Sequence, residues 1–258
     1  MVMDFHAQTN KYTYTSRQAD PNWMNLLEKI LDYKQVEHAL DIGCGGGIYM
    51  KALVELGIPS VTGVDSSEVM LEAALENCHG MQGVQFHKGD AQKTGLRQAS
   101  SDLILERALI HHLRDLQPCF SEAHRLLRPG GIFLIQDRTP EDCLLPGSPE
   151  HIRGYFFSSF PRLAEMEISR RHGSNKVIEN LRIAGFREIE KHTLWEVRHV
   201  HETKEKLLAD LRARLGRSIL HALTDDELER LVLFIDDCIT EERDIVERDR
   251  WTIWKAVK

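Results

Sequence analysis

The chain has 258 residues, 33 lysines and arginines against 40 aspartates and glutamates, a formal net charge of −7, and 42% hydrophobic residues. That is enough apolar material for the core of one α/β domain with an insertion. The acidic balance disfavours a broad phosphate-tracking surface, so nucleic acid is not an expected partner. Residues 1–14 are polar, and no later stretch approaches the ~18 uninterrupted apolar residues of a membrane span, so a cytoplasmic protein is expected. Cys44, Cys78, Cys119, Cys143 and Cys238 stand singly, which indicates neither a disulfide framework nor a zinc cluster. Nothing in the sequence fixes the oligomeric state.

The first informative segment is Ala39-Leu-Asp-Ile-Gly-Cys-Gly-Gly-Gly47, followed by Val61-Thr-Gly-Val-Asp65. It reads as a strand, a glycine turn, a helix starting at Ile48, and a second strand ending in an acid. Backbone N–H groups at the helix start would face whatever lies over the turn, and the glycines allow close approach to the main chain. An acid at the end of a second parallel strand can hold both hydroxyls of a ribose. The dinucleotide fingerprint G-x-G-x-x-G from Gly43 fails at Ile48, and Gly47-Ile48-Tyr49 lacks the lysine and hydroxyl of a P-loop, so NAD and ATP are disfavoured.

The remaining pattern, D-x-G-x-G-x-G at Asp41, Gly43, Gly45 and Gly47, resembles motif I of the class I S-adenosylmethionine-dependent methyltransferases. Three further segments follow in that family's order. Val84–Ala91 has strand character ending at Gly89-Asp90, Ser101–His112 resembles the fourth strand and its turn, and Ile132–Asp137 reads as a buried parallel strand. Before it, Pro118–Gly130 reads as a helix with Phe120, Ala123, Leu126 and Leu127 on one face and Arg128-Pro-Gly-Gly131 as its stop. The resemblance covers residues 38–137 and is nearest to the small-molecule group called methyltransferase type 11, which includes quinone-biosynthesis enzymes.

It implies a Rossmann-like, doubly wound seven-stranded sheet of order 3-2-1-4-5-7-6 with the last strand antiparallel, in a single domain spanning 1–258. The cofactor-binding half would be 36–137, with helical lid segments at 138–173 and about 199–248. The implied cofactor is S-adenosyl-L-methionine and the implied partner a small-molecule methyl acceptor, with an RNA or protein methyltransferase, or a silent cofactor-binding protein, as alternatives. The resemblance assigns Tyr14, Arg17, Asp41, Gly43, Cys44, Gly45, Asp65, Ser66, Asp90, Ala91, Glu106 and Arg107 to the cofactor, Asp90 near the adenine amino group. Cys44 is expected to pack under the cofactor. Glu106 and Arg107 stand where the family usually has small or polar residues; they form a clamp at the methionine end, or Arg107 meets an anionic acceptor, or the two make an outward ion pair. His111 is the candidate general base, the alternative being that His111 and His112 only hold the loop. Glu106-Arg-Ala-Leu109 is not the Asn/Asp-Pro-Pro-Tyr/Phe motif of enzymes that methylate adenine or glutamine amide nitrogen.

Past Asp137, Ser174–Ala184 reads as a helix stopped at Gly185, Phe186–Val197 as a strand, and Arg250–Val257 as the final strand. Between these strands lie helices near 203–215 and after the capping box Thr224-Asp-Asp-Glu227. These helices are expected to start and finish on the ligand edge as a substrate lid. The segment 138–173 carries Tyr155, Phe156, Phe157 and Phe160, which either sandwich a flat acceptor or pack the lid. Arg170-Arg-His172 with Lys176 reads as a solvated helix end rather than an RNA patch, and Glu241–Asp249 as a solvated helix face. His199-x-His201 puts two imidazoles on one side of an extended segment, but no third ligand stands at recognisable spacing, so no metal is expected.

Overall fold

The computed structural model describes residues 18–31 and 35–258. Tyr14 and Arg17 lie outside the described residues. The sheet has seven strands in the order β3-β2-β1-β4-β5-β7-β6: β1 (His38–Ile42), β2 (Ser60–Asp65), β3 (Val84–Lys88), β4 (Ser101–Arg107), β5 (Leu127–Asp137), β6 (Arg187–Thr203) and β7 (Arg243–Val257). β1 to β5 pair in parallel, and β7 runs antiparallel to β5, Ile132 facing Val257 and Asp137 facing Thr252. The expected sheet is therefore present.

The chain divides into two compact units. The sheet unit comprises the described residues up to Asp137 with Gly173–Leu194 and Thr252–Lys258, and the insertion unit comprises Arg138–His172 and Trp195–Trp251. Strand periodicity explains the layers of the sheet unit. Leu103 and Leu105 of β4, with Ile132 and Leu134 of β5, join one core with Trp23 and Leu27 of α1 (Pro21–Leu31) and Met50 and Leu53 of α2 (Ile48–Glu55). Ile104, Phe133 and Ile135, pointing the other way, join Phe120 and Ala123 of α4 (Gln117–Leu126) and Val177 and Leu181 of α8 (Ser174–Ile183). Both faces are thus covered by helices. Ser67 caps α3 (Glu68–Asn77) by accepting from Met70 N at 3.3 Å.

In the insertion unit, past the one-turn α5 (Pro140–Cys143), α6 (Ile152–Ser159), α7 (Pro161–Ile168), α9 (Lys204–Arg212) and α10 (Asp225–Cys238) share one apolar core. Thr224 and Glu227 make the expected capping box. Phe156 and Phe157 are buried in this core, so they pack the unit itself rather than standing open to an acceptor.

Three local readings are corrected. β7 begins at Arg243, because Ile245, Glu247 and Asp249 are buried in alternation; the charge-rich run is a strand with its acids turned inward, not a solvated helix. β6 extends to Thr203, beyond the expected Val197. Arg171 and His172 are buried rather than solvated. Arg171 donates to Glu167 at 2.5 Å, and Arg138, Arg153 and Arg170 also pair with Glu167. Burial opposes ionisation of Glu167, yet Arg153, Arg171, Arg138 and Arg170 hold it well below the usual carboxylate range. Four cysteines are buried and all five are free thiols. No helix among the described residues is long and apolar enough to cross a membrane.

Candidate active site

The carboxyl ends of β1 to β5 carry the candidate residues of the sheet unit. After Ile42 the chain turns back, with Gly43 N and Cys44 N both donating to Val64 O, at 2.7 and 3.1 Å. Gly43, Gly45 and Gly47 have φ of 77°, 49° and 78°, the left-handed region that favours glycine. A Cβ on Gly47 would lie 3.0 Å from Cys78 Sγ and 3.2 Å from Ala74 Cβ, whereas one on Gly45 would meet nothing within 4 Å. The inner glycine is needed for packing against α3, and the outer one leaves open space over the turn.

Asp65 ends β2 and organises this turn. Its Oδ2 accepts from Gly45 N at 3.0 Å and its Oδ1 from Ser67 N at 2.9 Å. A carboxylate oxygen has two lone-pair sites, so each oxygen keeps acceptor capacity for a hydroxyl. Ser66, next in sequence, is exposed, and Asp90 is exposed with Oδ1 accepting from Gln92 N at 2.8 Å. Ala91 packs partly buried against the core on the α4 side. Gly89 N donates to Asp65 O at 3.0 Å, which ties the third edge segment to the second.

Asp41 is buried beneath the turn. Burial first, and the neighbouring Asp65 charge second, push its carboxyl up to about 7, against the opposing pull of Arg107. Cys44, also buried, has its thiol raised chiefly by burial, with Asp41 and Asp65 adding to the effect. It is therefore a neutral packing group and no activated nucleophile.

Glu106 and Arg107 do not pair with one another. Consecutive strand residues point to opposite faces, so Glu106 turns toward α4 and Arg107 toward α2. Cys119 Sγ donates to Glu106 Oε1 at 3.1 Å, and burial lifts the Glu106 carboxyl to about 8. Its Oε2 is buried with no hydrogen-bond partner among the described residues. The Arg107 guanidinium lies 4.3 Å from the centre of the Tyr49 ring, which in turn meets Trp23 edge-on at 4.8 Å. The outward ion pair is excluded, and Arg107 shares the Asp41 side of the strand ends.

After β4, Ala108 adopts φ 51° and donates its N–H to Gln136 O at 2.8 Å, which aims the 3₁₀ turn Ile110–His112 across the end of β5. There His111 Nδ1 lies 2.8 Å from Asp137 Oδ2 and 3.1 Å from Oδ1, and His111 N donates to the same carboxylate at 3.2 Å. The His111 side chain is 12% exposed and that of Asp137 2%. An Nδ1–H held by a carboxylate fixes the tautomer with the acceptor lone pair on Nε2. The His112 ring sits 4.0 Å from that of His111.

Sequence reading missed two partners. Asp137 was visible only as a strand end, although the parallel pairing of Arg107 with Gln136 sets the last residue of β5 beside the turn after β4. Tyr49 appeared only as the residue after Ile48 that disqualified a P-loop. A small cavity lined by Trp23, Leu27, Ile30, Leu105, Leu134 and Ile253 measures about 10 Å³, room for one water at most and not for an acceptor.

Residues 40–135 match the family model of a methyltransferase domain. Phosphoethanolamine N-methyltransferase 3 of Arabidopsis thaliana is 30% identical over 192 residues, which cover 70% of this chain and 37% of the relative. Demethylmenaquinone methyltransferase of Staphylococcus aureus is 31% identical over 114 residues, 43% of this chain and 47% of the relative. The chain thus spans less than half the length of these curated relatives. The solved phosphoethanolamine N-methyltransferase 2 of Haemonchus contortus, in complex with S-adenosyl-L-methionine, aligns with a TM-score of 0.61 at 23% identity over 100% of this chain and 60% of that one, a likeness of fold. The family match, the sheet order and the acid-flanked glycine turn agree, so residues 40–135 carry a methyltransferase domain.

Proposed function

We propose that the chain binds S-adenosyl-L-methionine at the carboxyl edge of β1, β2 and β4 and methylates a small-molecule acceptor. The observation that carries this reading is the Asp65 carboxylate, fixed by Gly45 N and Ser67 N beside a turn whose outer glycine faces open space. Asp65 would take the ribose hydroxyls, Asp90 the adenine amino group, and the Gly43–Gly45 main chain with Asp41 and Arg107 the methionine end. Buried thiol Cys44 and half-buried Ala91 supply apolar floor. When bound, the cofactor supplies an electrophilic methyl on a positively charged sulfur, so the protein chiefly has to orient the acceptor, which is worth ~7–11 kcal/mol.

His111 is proposed as the group that would accept, on Nε2, the proton released by the acceptor atom when that atom takes the methyl group. Asp137 holds the imidazole for this and stabilises the imidazolium that results. The segments 138–172 and 195–251 are proposed to carry acceptor recognition. Relatives that act on phosphoethanolamine and on demethylmenaquinone, according to their names, bracket polar and apolar acceptors. The net charge of −7 argues against an RNA substrate.

The test is calorimetry with S-adenosylhomocysteine, followed by a methyl-transfer screen over phenols, thiols, amines and phosphorylated amino alcohols. For the acceptor found, His111→Ala is expected to lower kcat by about 10²–10⁴-fold and Asp137→Asn to lower it in the same direction, with the cofactor affinity unchanged. An unchanged kcat in both variants removes the base from the mechanism, and a folded chain that ignores S-adenosylhomocysteine removes the function.

A further inference from the structure

The insertion unit holds a cluster that methyl transfer does not use. His199 and His201 lie two apart on β6, on one face of the strand, with ring centres 4.4 Å apart. The third residue that the sequence does not signal comes from α9: Asp210, two turns along a helix that Thr203 caps at the end of β6. One ligand atom from each of the three lies within 4.8 Å of the others, and among the described residues no other His, Cys, Asp and Glu group gathers in this way.

The inner imidazole is prepared on both sides. His201 has a side chain only 1% exposed, and its Nε2 lies 3.3 Å from Glu247 Oε2. Glu247 is itself fixed by Arg217 at 2.5 Å and by Arg198 at 3.3 Å. The Nδ1 of His201 is buried with no hydrogen-bond partner among the described residues, 3.5 Å from Asp210 Oδ2. With the Nε2 proton given to Glu247, the Nδ1 lone pair faces a carboxylate oxygen, acceptor against acceptor, an arrangement that a cation between them relieves. A carboxylate on the outer nitrogen of a ligating histidine is also the usual support of a metal-bound imidazole.

We propose that His199, His201 and Asp210 bind a divalent transition metal of the zinc class, clamping β6 to α9. In a tetrahedral zinc site with bonds of ~2.0–2.1 Å, neighbouring ligand atoms stand about 3.3–3.4 Å apart. The 3.5 Å between His201 and Asp210 already matches, and rotation of the exposed His199 ring closes the rest. Three protein ligands leave a fourth position for water.

The test titrates zinc chloride into the metal-stripped full chain at neutral pH by calorimetry. One equivalent per chain is expected, with affinity at least about tenfold weaker in His199→Ala and in Asp210→Asn and unchanged in the remote His79→Ala. His199 and Asp210 reach solvent, so both variants should keep the wild-type circular dichroism, and cobalt should give the visible bands of a tetrahedral site in the wild type only. Absence of stoichiometric zinc in the wild type overturns the proposal. Equal zinc affinity in wild type and both variants overturns it too, since the metal then sits elsewhere.

Discussion

Asp65→Ala is the sharpest perturbation of the proposed cofactor site. The substitution removes the acceptor for Gly45 N and Ser67 N, at 3.0 and 2.9 Å. At about 1 kcal/mol net for each hydrogen bond, folding stability should fall by about 2 kcal/mol, readable as a lower urea midpoint with unchanged slope. The same carboxylate is proposed to hold two ribose hydroxyls. At about 1.5 kcal/mol for each hydrogen bond to a charged group, their loss amounts to about 3 kcal/mol, or roughly a hundredfold in the Kd for S-adenosylhomocysteine. Asp65→Asn keeps one carbonyl oxygen but turns an amide N–H₂ toward a backbone donor, so an intermediate effect is expected. A cycle with the 2′-deoxy analogue separates direct contact from turn distortion: the wild type should lose about tenfold on removal of the hydroxyl, and Asp65→Ala should lose little more. If Asp65→Ala stays folded and binds S-adenosylhomocysteine as tightly as the wild type, or if the deoxy penalty is the same in both proteins, the assignment of the acid to the ribose is wrong.

Glu106→Gln should flatten the pH dependence of stability. Because burial raises the folded carboxyl from 4.5 to about 8, the native state resists an ionisation that the unfolded chain accepts. The penalty is absent below about pH 4.5, grows toward pH 8 and is constant above, reaching a few kcal/mol; urea unfolding at pH 5 and pH 8 should therefore show the variant gaining on the wild type only at the higher pH, and parallel curves would refute this. Gly47→Ala adds a side chain at φ 78° against Cys78 and Ala74, and thermal unfolding should register a loss of more than about 1 kcal/mol. In the insertion unit, Glu167→Gln leaves Arg138, Arg153, Arg170 and Arg171 around a neutral amide, and denaturant titration should show a loss of about 3–5 kcal/mol.

What the sequence by itself determined is the part ruled by local backbone rules. The positive-φ glycines at 43, 45 and 47, the acid closing β2, the helix starting at Ile48 and the threonine-led box at Thr224 are short-range demands, and each was legible as residues in a row. The buried run Ile132–Asp137 was legible as well, because a parallel strand covered on both faces has little choice of composition. Segments with two uses for the same residues misled. Glu241–Asp249 has enough charge for a solvated helix, and only pairing with basic neighbours distant in sequence, Arg138, Arg153, Arg198 and Arg217, lets Glu247 and Asp249 turn inward as a strand. The same holds for the site. Asp137 becomes the partner of His111 because β4 and β5 are neighbours in register, and Asp210 comes near His199 and His201 from α9, which starts where β6 ends. Charge compensation and ligand convergence are properties of side chains separated by many residues, so tertiary structure alone decided them.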